Sequence, residues 1–158
     1  LNDNDAEQGG GGGMAEPTSS VFTITGGLAA NDNNVAYVFA EKKGYSKFGG
    51  YTGNNNSDGA FVYTGFKPAF VIVKPANYAD NWHIIDTKRN PSNAMDKHLF
   101  VNLNHAENSS SSYETDFLSN GFKPRNTNSA INGSYNYIYM AFAEEPLVGS
   151  NNVPATAR

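Results

Sequence analysis

The run Asn54-Asn55-Asn56-Ser57-Asp58-Gly59 constrains this chain more than any other stretch. Asn, Asp and Gly tolerate the positive φ values of a tight reversal, so the backbone must turn sharply there. The surrounding residues 44–75 read as strand, glycine turn, polar loop, strand, turn and buried strand, with the chain expected to run antiparallel on either side of the loop. Ala60-Phe61-Val62-Tyr63-Thr64 is rich in β-branched and aromatic residues. Ala69-Phe70-Val71-Ile72-Val73 is a continuous apolar run whose length suits a strand buried on both faces.

Composition extends this β reading to the whole chain. The hydrophobic fraction is 39%, with 9 Tyr and 10 Phe but 1 Trp, and much of the polar remainder is Asn, Ser, Thr and Gly. Helix bundles would need runs of Leu, Ala, Glu and Lys instead. At 158 residues the chain is one domain's worth and can bury a core without staples. A net charge of −4, with 11 basic residues spread thinly, leaves no electrostatic footprint for nucleic acid. With 0 Cys there are no disulfides, thiolate metal sites or cysteine nucleophiles. No apolar run approaches the ~20 residues of a spanning helix, and no basic-then-apolar signal opens the chain, so no membrane insertion is expected. The first residue is Leu, which suggests a mature or truncated piece of something longer.

Residues 1–20 are acidic and polar, with five consecutive glycines, and read as a flexible linker or arm. Strands are expected at Val21-Phe22-Thr23-Ile24-Thr25, over residues 35–40, 82–86, 98–103 and 114–118, from Phe122 to Arg125, and over 135–143. Asn90-Pro91 makes a loop of the stretch before Lys97. Residues 104–112, with four consecutive serines, and 126–134 are polar connections. The expected organisation is an arm at 1–20, a β-sandwich at 21–148 and an irregular tail at 149–158. About nine or ten short strands fit an all-β, antiparallel two-sheet sandwich, jelly-roll-like in topology, with a closed barrel as the alternative. Gly65-Phe66-Lys67-Pro68 recurs as Gly121-Phe122-Lys123-Pro124, which would suit two equivalent corners of one sandwich.

Catalytic and metal chemistry find little purchase. His83, His98 and His105 lack metal-site spacing and read as ordinary strand and loop residues. Residues 54–59 superficially resemble a calcium loop, but only Asp58 is charged and the terminal Glu is absent. Asp86, Glu114 and Asp116 are the acids a glycosidase would use, though nothing marks them as buried. No nucleophile elbow, phosphate loop or dinucleotide fingerprint is present, so no catalytic residue, metal or cofactor is expected. What remains is a surface of Tyr, Asn, Ser and Gly, the side chains that cover apolar sugar faces and satisfy sugar hydroxyls. Tyr45, Tyr51, Tyr63, Tyr78, Trp82 and Tyr113 are the exposed-aromatic candidates. Of these, Tyr51, Trp82 and Tyr113, with Asn54, Asn55, Asn56 and Asp58, form the expected ligand-binding set. Tyr135, Tyr137 and Tyr139 put three phenols on one strand face, packed against the other sheet or covered by a neighbouring subunit in assembly.

Several stretches carry a resemblance. AYVFAEKKGYSKFGGYTGNNNSDGAFVYTGFKPAFVIVK, NWHIIDTKRNPSN, DKHLFVNLNHAENSSS, DFLSNGFKPR, YIYMAFAEEP and VPATAR together resemble a β-rich domain of tailed-phage structural proteins, often of marine phages and tail-fibre-like. The resemblance covers most of residues 35–158. It implies a virion location on the outer surface or tail, with other virion proteins as partners and homo-oligomeric assembly. It implies no catalytic residues, and its motif residues Asp86 to Arg89 and Ser119 to Phe122 are architectural. The functional expectation is a fibre, tail appendage or capsid decoration that binds a host-surface glycan through its loops. A purely structural assembly or decoration subunit is the alternative, and a glycan-degrading enzyme a third reading.

Overall fold

The computed structural model describes residues 4–6, 15–16, 18–24 and 37–144. It is all-β, with two antiparallel sheets built from nine strands among the described residues. In chain order these are β1 (Ser46–Thr52), β2 (Val62–Tyr63), β3 (Phe70–Pro75), β4 (His83–Asp86), β5 (Lys97–Phe100), β6 (Asn108–Ser109), β7 (Thr115–Leu118), β8 (Gly121–Pro124) and β9 (Asn136–Phe142). One 3-10 turn, Ser111–Tyr113, lies between β6 and β7. The larger sheet runs β1-β9-β3-β4-β5-β6 and the smaller β2-β8-β7. With six strands in one layer and three in the other, the likeness to a jelly roll stops at the two-layer architecture.

Alternation decides which side chains enter the core. Tyr137, Tyr139 and Ala141 of β9, Val71 and Val73 of β3 and Ile85 of β4 are buried on one face of the large sheet. Against them lie Val62, Phe117 and Phe122 of the small sheet, with Phe66, Met95, Ala130 and Ile131 filling the edges. The free edge of β7 is closed by a side chain. Asn93 accepts from the Phe117 N–H through Oδ1 and donates to the Phe117 carbonyl through Nδ2, both at 2.9 Å, as a paired strand would. A Met95–Thr115 bridge continues this cover.

Three expectations change. The loop at 54–59 does not join an antiparallel hairpin: β1 pairs with β9 and β2 with β8, so the chain crosses from one sheet to the other there. The reason is that residues 124–135 bind the loop's polar groups more completely than its own flanks could. Gly53 N–H reaches the Tyr135 carbonyl at 2.9 Å, Asn55 N–H that of Asn132 at 2.8 Å, and Gly59 N–H that of Pro124 at 3.2 Å. Second, residues 21–24 and 37–40 form no strand beyond a bridge position at Ile24, and Val21, Phe22, Ile24, Tyr37, Val38 and Phe39 remain exposed, while Thr25, Val35 and Ala36 of the same two expected strands lie outside the described residues. The named strands begin only at Ser46. Contacts divide the chain into Leu1–Glu7 with Ala40–Arg158 and a separate unit Gln8–Phe39. The expected tail at 149–158 lies outside the described residues. Third, the two Gly-Phe-Lys-Pro copies are not equivalent: the first is a bend and the second is β8. Each nevertheless buries its phenylalanine, Phe66 and Phe122.

Residues 4–5 are held to the sandwich by a buried lysine. Lys74 Nζ donates to the carbonyls of Asp5 at 2.9 Å, Pro75 at 2.9 Å and Asn4 at 3.4 Å, which lets the ammonium sit on a sheet away from water.

Candidate functional site

The loops that follow β1 and β3 and precede β9 meet at one end of the large sheet, because β9 pairs with both strands there: Thr52 with Asn136, Pro75 with Tyr137. Asn132 locks this end. It is fully buried, and its Nδ2 donates to the Asn126 carbonyl at 2.7 Å, the Asn56 carbonyl at 2.8 Å and Asn54 Oδ1 at 3.1 Å. Its Oδ1 accepts from the Asn54 N–H at 3.3 Å. The loop itself is two Asx turns: Asn54 Oδ1 accepts from Asn56 N–H and Asn56 Oδ1 from Asp58 N–H, at 3.1 and 2.8 Å. Asn55 takes φ 50°, the left-handed region that Asn tolerates best among non-glycine residues.

Beside this loop stand two aromatic rings. Tyr78, in the connection between β3 and β4, stacks on Tyr135 at 4.3 Å with 19° between the rings. The connection is anchored where Asn77 Oδ1 accepts from Asn136 N–H at 2.9 Å and Ala76 N–H reaches the Asn136 carbonyl at 2.7 Å. Asp80 and Asn81 follow, and Asn81 Oδ1 accepts from Asn102 Nδ2 at 2.9 Å, while Asn102 Oδ1 accepts from the Trp82 N–H at 3.1 Å. The result is a face of amides and phenols whose backbone is tied at many points. Such a face can cover an apolar ring face and exchange hydrogen bonds with hydroxyls without reordering itself.

The expected ligand set divides. Asn54, Asn55, Asn56 and Asp58 are exposed at this end. The Asn54 amide and the Asn56 Oδ1 are spent on the loop, however, and Asp58 is ion-paired with Lys123 at 2.7 Å and Arg125 at 3.2 Å, which holds its carboxyl below the ordinary range. Tyr51 is not a ligand platform. It stacks on Tyr137 at 4.9 Å and donates its hydroxyl to the Ile131 carbonyl at 2.6 Å, and burial raises its phenol well above the usual value. Trp82 and Tyr113 are half-buried, and Tyr113 packs on His98 at 4.0 Å. Tyr137 and Tyr139, expected at an assembly surface, are core residues at 1% and 5% exposure, because the small sheet covers their face of β9. Burial raises both phenols, and Tyr137 donates to the Ser129 carbonyl at 2.7 Å. Of the three, Tyr135 alone reaches the loop end.

Of the three acids considered for sugar cleavage, Asp86 and Asp116 are held in ion pairs. Asp86 is bound by Arg89 and by the N–H groups of Lys88 and Arg89, and Asp116 by Arg125 at 3.0 Å. They belong to different sheets, β4 and β7. Among the described residues no three His, Asp or Glu side chains converge in a way that could hold a metal ion. Sequence reasoning missed Asn132 and the Tyr78–Tyr135 stack. The only local signal for the first was its place in an Asn/Ser/Gly run, and for the second the aromatic content of two loops distant in the chain.

One family matches this chain, described as Domain of unknown function (DUF7483), over residues 1–146. No curated protein and no solved structure matches it.

Proposed function

We infer that this chain, which belongs to the DUF7483 family, is a binding module whose loop end takes a glycan, carried on the surface or tail of a phage virion. The observation that carries the reading is the stacked Tyr78–Tyr135 pair, with Tyr78 exposed, standing on a hydrogen-bonded connection among Asn77, Asp80 and the 54–59 loop. A pre-stacked phenol offers a flat apolar face at little entropic cost, and Asn77 and Asp80 on the same connection supply hydroxyl partners. The resemblance to tailed-phage structural proteins supports the virion setting, where displayed loops meet bacterial polysaccharide. Binding without turnover is favoured by the arginine pairing of Asp86 and Asp116.

The test is binding of the purified full chain to an array of bacterial surface polysaccharides, compared with Tyr78→Ala. Removing one aromatic platform should weaken binding about tenfold, equivalent to ~1.4 kcal/mol, with the melting temperature unchanged. Tyr63→Ala, at another exposed tyrosine on β2, should leave binding intact. Equal losses from both substitutions, or no binding by the parent, would remove the reading.

A second reading has its own observation. Val21, Phe22, Ile24, Tyr37, Val38 and Phe39 of the unit Gln8–Phe39 are all exposed, an apolar concentration that suits an assembly or decoration subunit covered by other virion proteins. A chain that binds no polysaccharide but co-assembles with sibling copies would favour it.

A further inference from the structure

His83 lies on β4 and His98 on the adjacent β5. The register sets His83 opposite Phe100, which places His98 on the same face two residues earlier along β5. Both rings point into the sandwich, at 0% and 1% exposure. They lie 5.6 Å apart in an aromatic box: Phe100 is 4.8 Å from His83 and 5.1 Å from His98, and Tyr113 is 5.0 and 4.0 Å away. Among the described residues neither ring nitrogen of His83 has a hydrogen-bond partner, and the polar neighbour of His98 is the Asp96 backbone. Every imidazole carries at least one N–H, so His83 holds an unsatisfied donor in an apolar place, where a packed aromatic would be less costly. A buried group that carries such a penalty calls for an explanation.

The surroundings indicate one. Burial, and then the neighbouring His98, push His83 down to about 3. Burial also lowers His98, opposed by the Asp96 backbone and carboxylate. Among the described residues the charged and titratable groups around the pair are therefore Asp96, just before β5, and Tyr113, from the 3-10 turn, which itself faces Asp80, with His105 on Phe100 at 5.6 Å. Among the described residues no carboxylate acts on His83 to stabilise a proton. The pair also sits at the weakest part of the large sheet. The register runs to seven residue pairs between β1 and β9 and six between β3 and β9, but only two between β4 and β5 and two between β5 and β6. Beyond β5 the cover is β6, exposed at both residues, and the three-residue turn that carries Tyr113. An edge with so few pairings opens locally before the β1-β9-β3 centre does.

We propose that the His83–His98 pair is an acid-operated latch on this edge: closed around Tyr113 while both imidazoles are neutral, and open over residues 97–113 once either takes a proton. The sign follows from linkage. The closed state holds its histidines below the 6.5 of an exposed imidazole, so the open state binds more protons at every pH below that value. Opening is pH-independent above about 6.5 and rises about tenfold per pH unit from there towards the value of about 3 that closed-state His83 has, more steeply where His98 also takes up a proton. The nearest carboxylate does not share this window, since hydrogen bonds from Ser109 and Asn90 hold Asp96 below its ordinary range. A second cation beside the first would oppose reclosure.

Trp82 is the only tryptophan and a built-in reporter. Its carbonyl accepts from the Val101 N–H at 3.0 Å and its N–H donates to Asn102, so it senses the segment that opens. The experiment follows Trp82 emission and far-UV circular dichroism of the full chain from pH 7.5 to 4. The parent should show a red shift developing below pH 6.5 with the circular dichroism retained. His83→Phe combined with His98→Leu should show none in that window. A parent that stays unchanged to pH 4, or a double variant that tracks the parent, overturns the latch. If the double variant does not fold, histidine-resolved NMR of the parent decides. A buried imidazole that titrates near 6.5 while the sheet stays closed overturns the proposal; one that remains neutral until the open form appears supports it.

Discussion

Replacing Asn132 by Ala should cost the sandwich about 3 kcal/mol, and the figure can be assembled from the groups left behind. The amide is fully buried and serves three acceptors and one donor. The Asn126 carbonyl matters most: Asn126 is itself buried, so its oxygen would lose a 2.7 Å bond with no ready access to water, a penalty of about 1–3 kcal/mol. Asn56 and Asn54 are exposed, so their freed groups can rehydrate, and each loses only the net worth of a bond, about 0.5–1 kcal/mol. For a domain of this size the total corresponds to a fall in melting temperature of roughly 10 °C, measurable by calorimetry. Asn132→Asp sharpens the test. It is nearly isosteric, yet it would aim a carboxylate at three oxygen atoms, so at neutral pH it should lose more than Ala does. Burial and those oxygens would raise its folded pKa above the unfolded value near 3.9, so the excess loss shrinks as pH falls and the acid regains a donor. An Asn132→Ala protein melting within about 3 °C of the parent would refute the claim that this one amide holds the two loops together.

Two further perturbations probe other joints. Gly121→Ala would set a Cβ 2.1 Å from the Val62 carbonyl and 2.9 Å from the Phe61 ring, so β2 must part from β8 and calorimetry should register a loss above ~2 kcal/mol. At Gly49 the nearest atoms, 3.2 Å away, belong to the Tyr139 ring, and the same substitution should do far less; equal losses would contradict the packing argument. Lys74→Met keeps the apolar stem but removes the donors to Asn4 and Asp5, so heteronuclear NOEs at residues 4–6 should drop while the melting temperature stays close to the parent's. Unchanged NOEs would mean that the arm is held elsewhere.

Much of the β content is legible in short windows. The continuous apolar run before Lys74 becomes β3, and the alternation from Tyr135 to Ala143 becomes β9 with boundaries nearly as read. Both signals arise from residues two apart sharing a face, a property each segment carries by itself. The same signal misleads at residues 21–24, whose alternation is as clean but whose apolar side chains stay exposed, because the core is filled from strands that begin at Ser46. The loop at 54–59 is likewise legible as a reversal and illegible as a crossing. Turn chemistry sets the local dihedrals, while the choice of partner strand falls to whichever distant groups satisfy the loop, here Asn132 and the carbonyls of Pro124 and Tyr135.

Side-chain roles divide in the same way. That Tyr135, Tyr137 and Tyr139 share a face follows from period two. That Tyr137 and Tyr139 lie in the core while Tyr135 reaches the loop end depends on where the small sheet stops. The candidate site was half legible: Asn54, Asn55, Asn56 and Asp58 stand at the exposed end as composition suggests, but Tyr51 turned inward and Tyr78 found Tyr135. His83 and His98 read separately as unremarkable strand residues; only the β4–β5 register makes them a pair. The sequence by itself determined the all-β class, most strand positions and the polar loops, since these depend on propensities and periodicities within a few residues. Tertiary structure decided which strands pair, which phenols are buried and which polar groups meet, because those depend on burial summed over contacts between segments far apart in the chain.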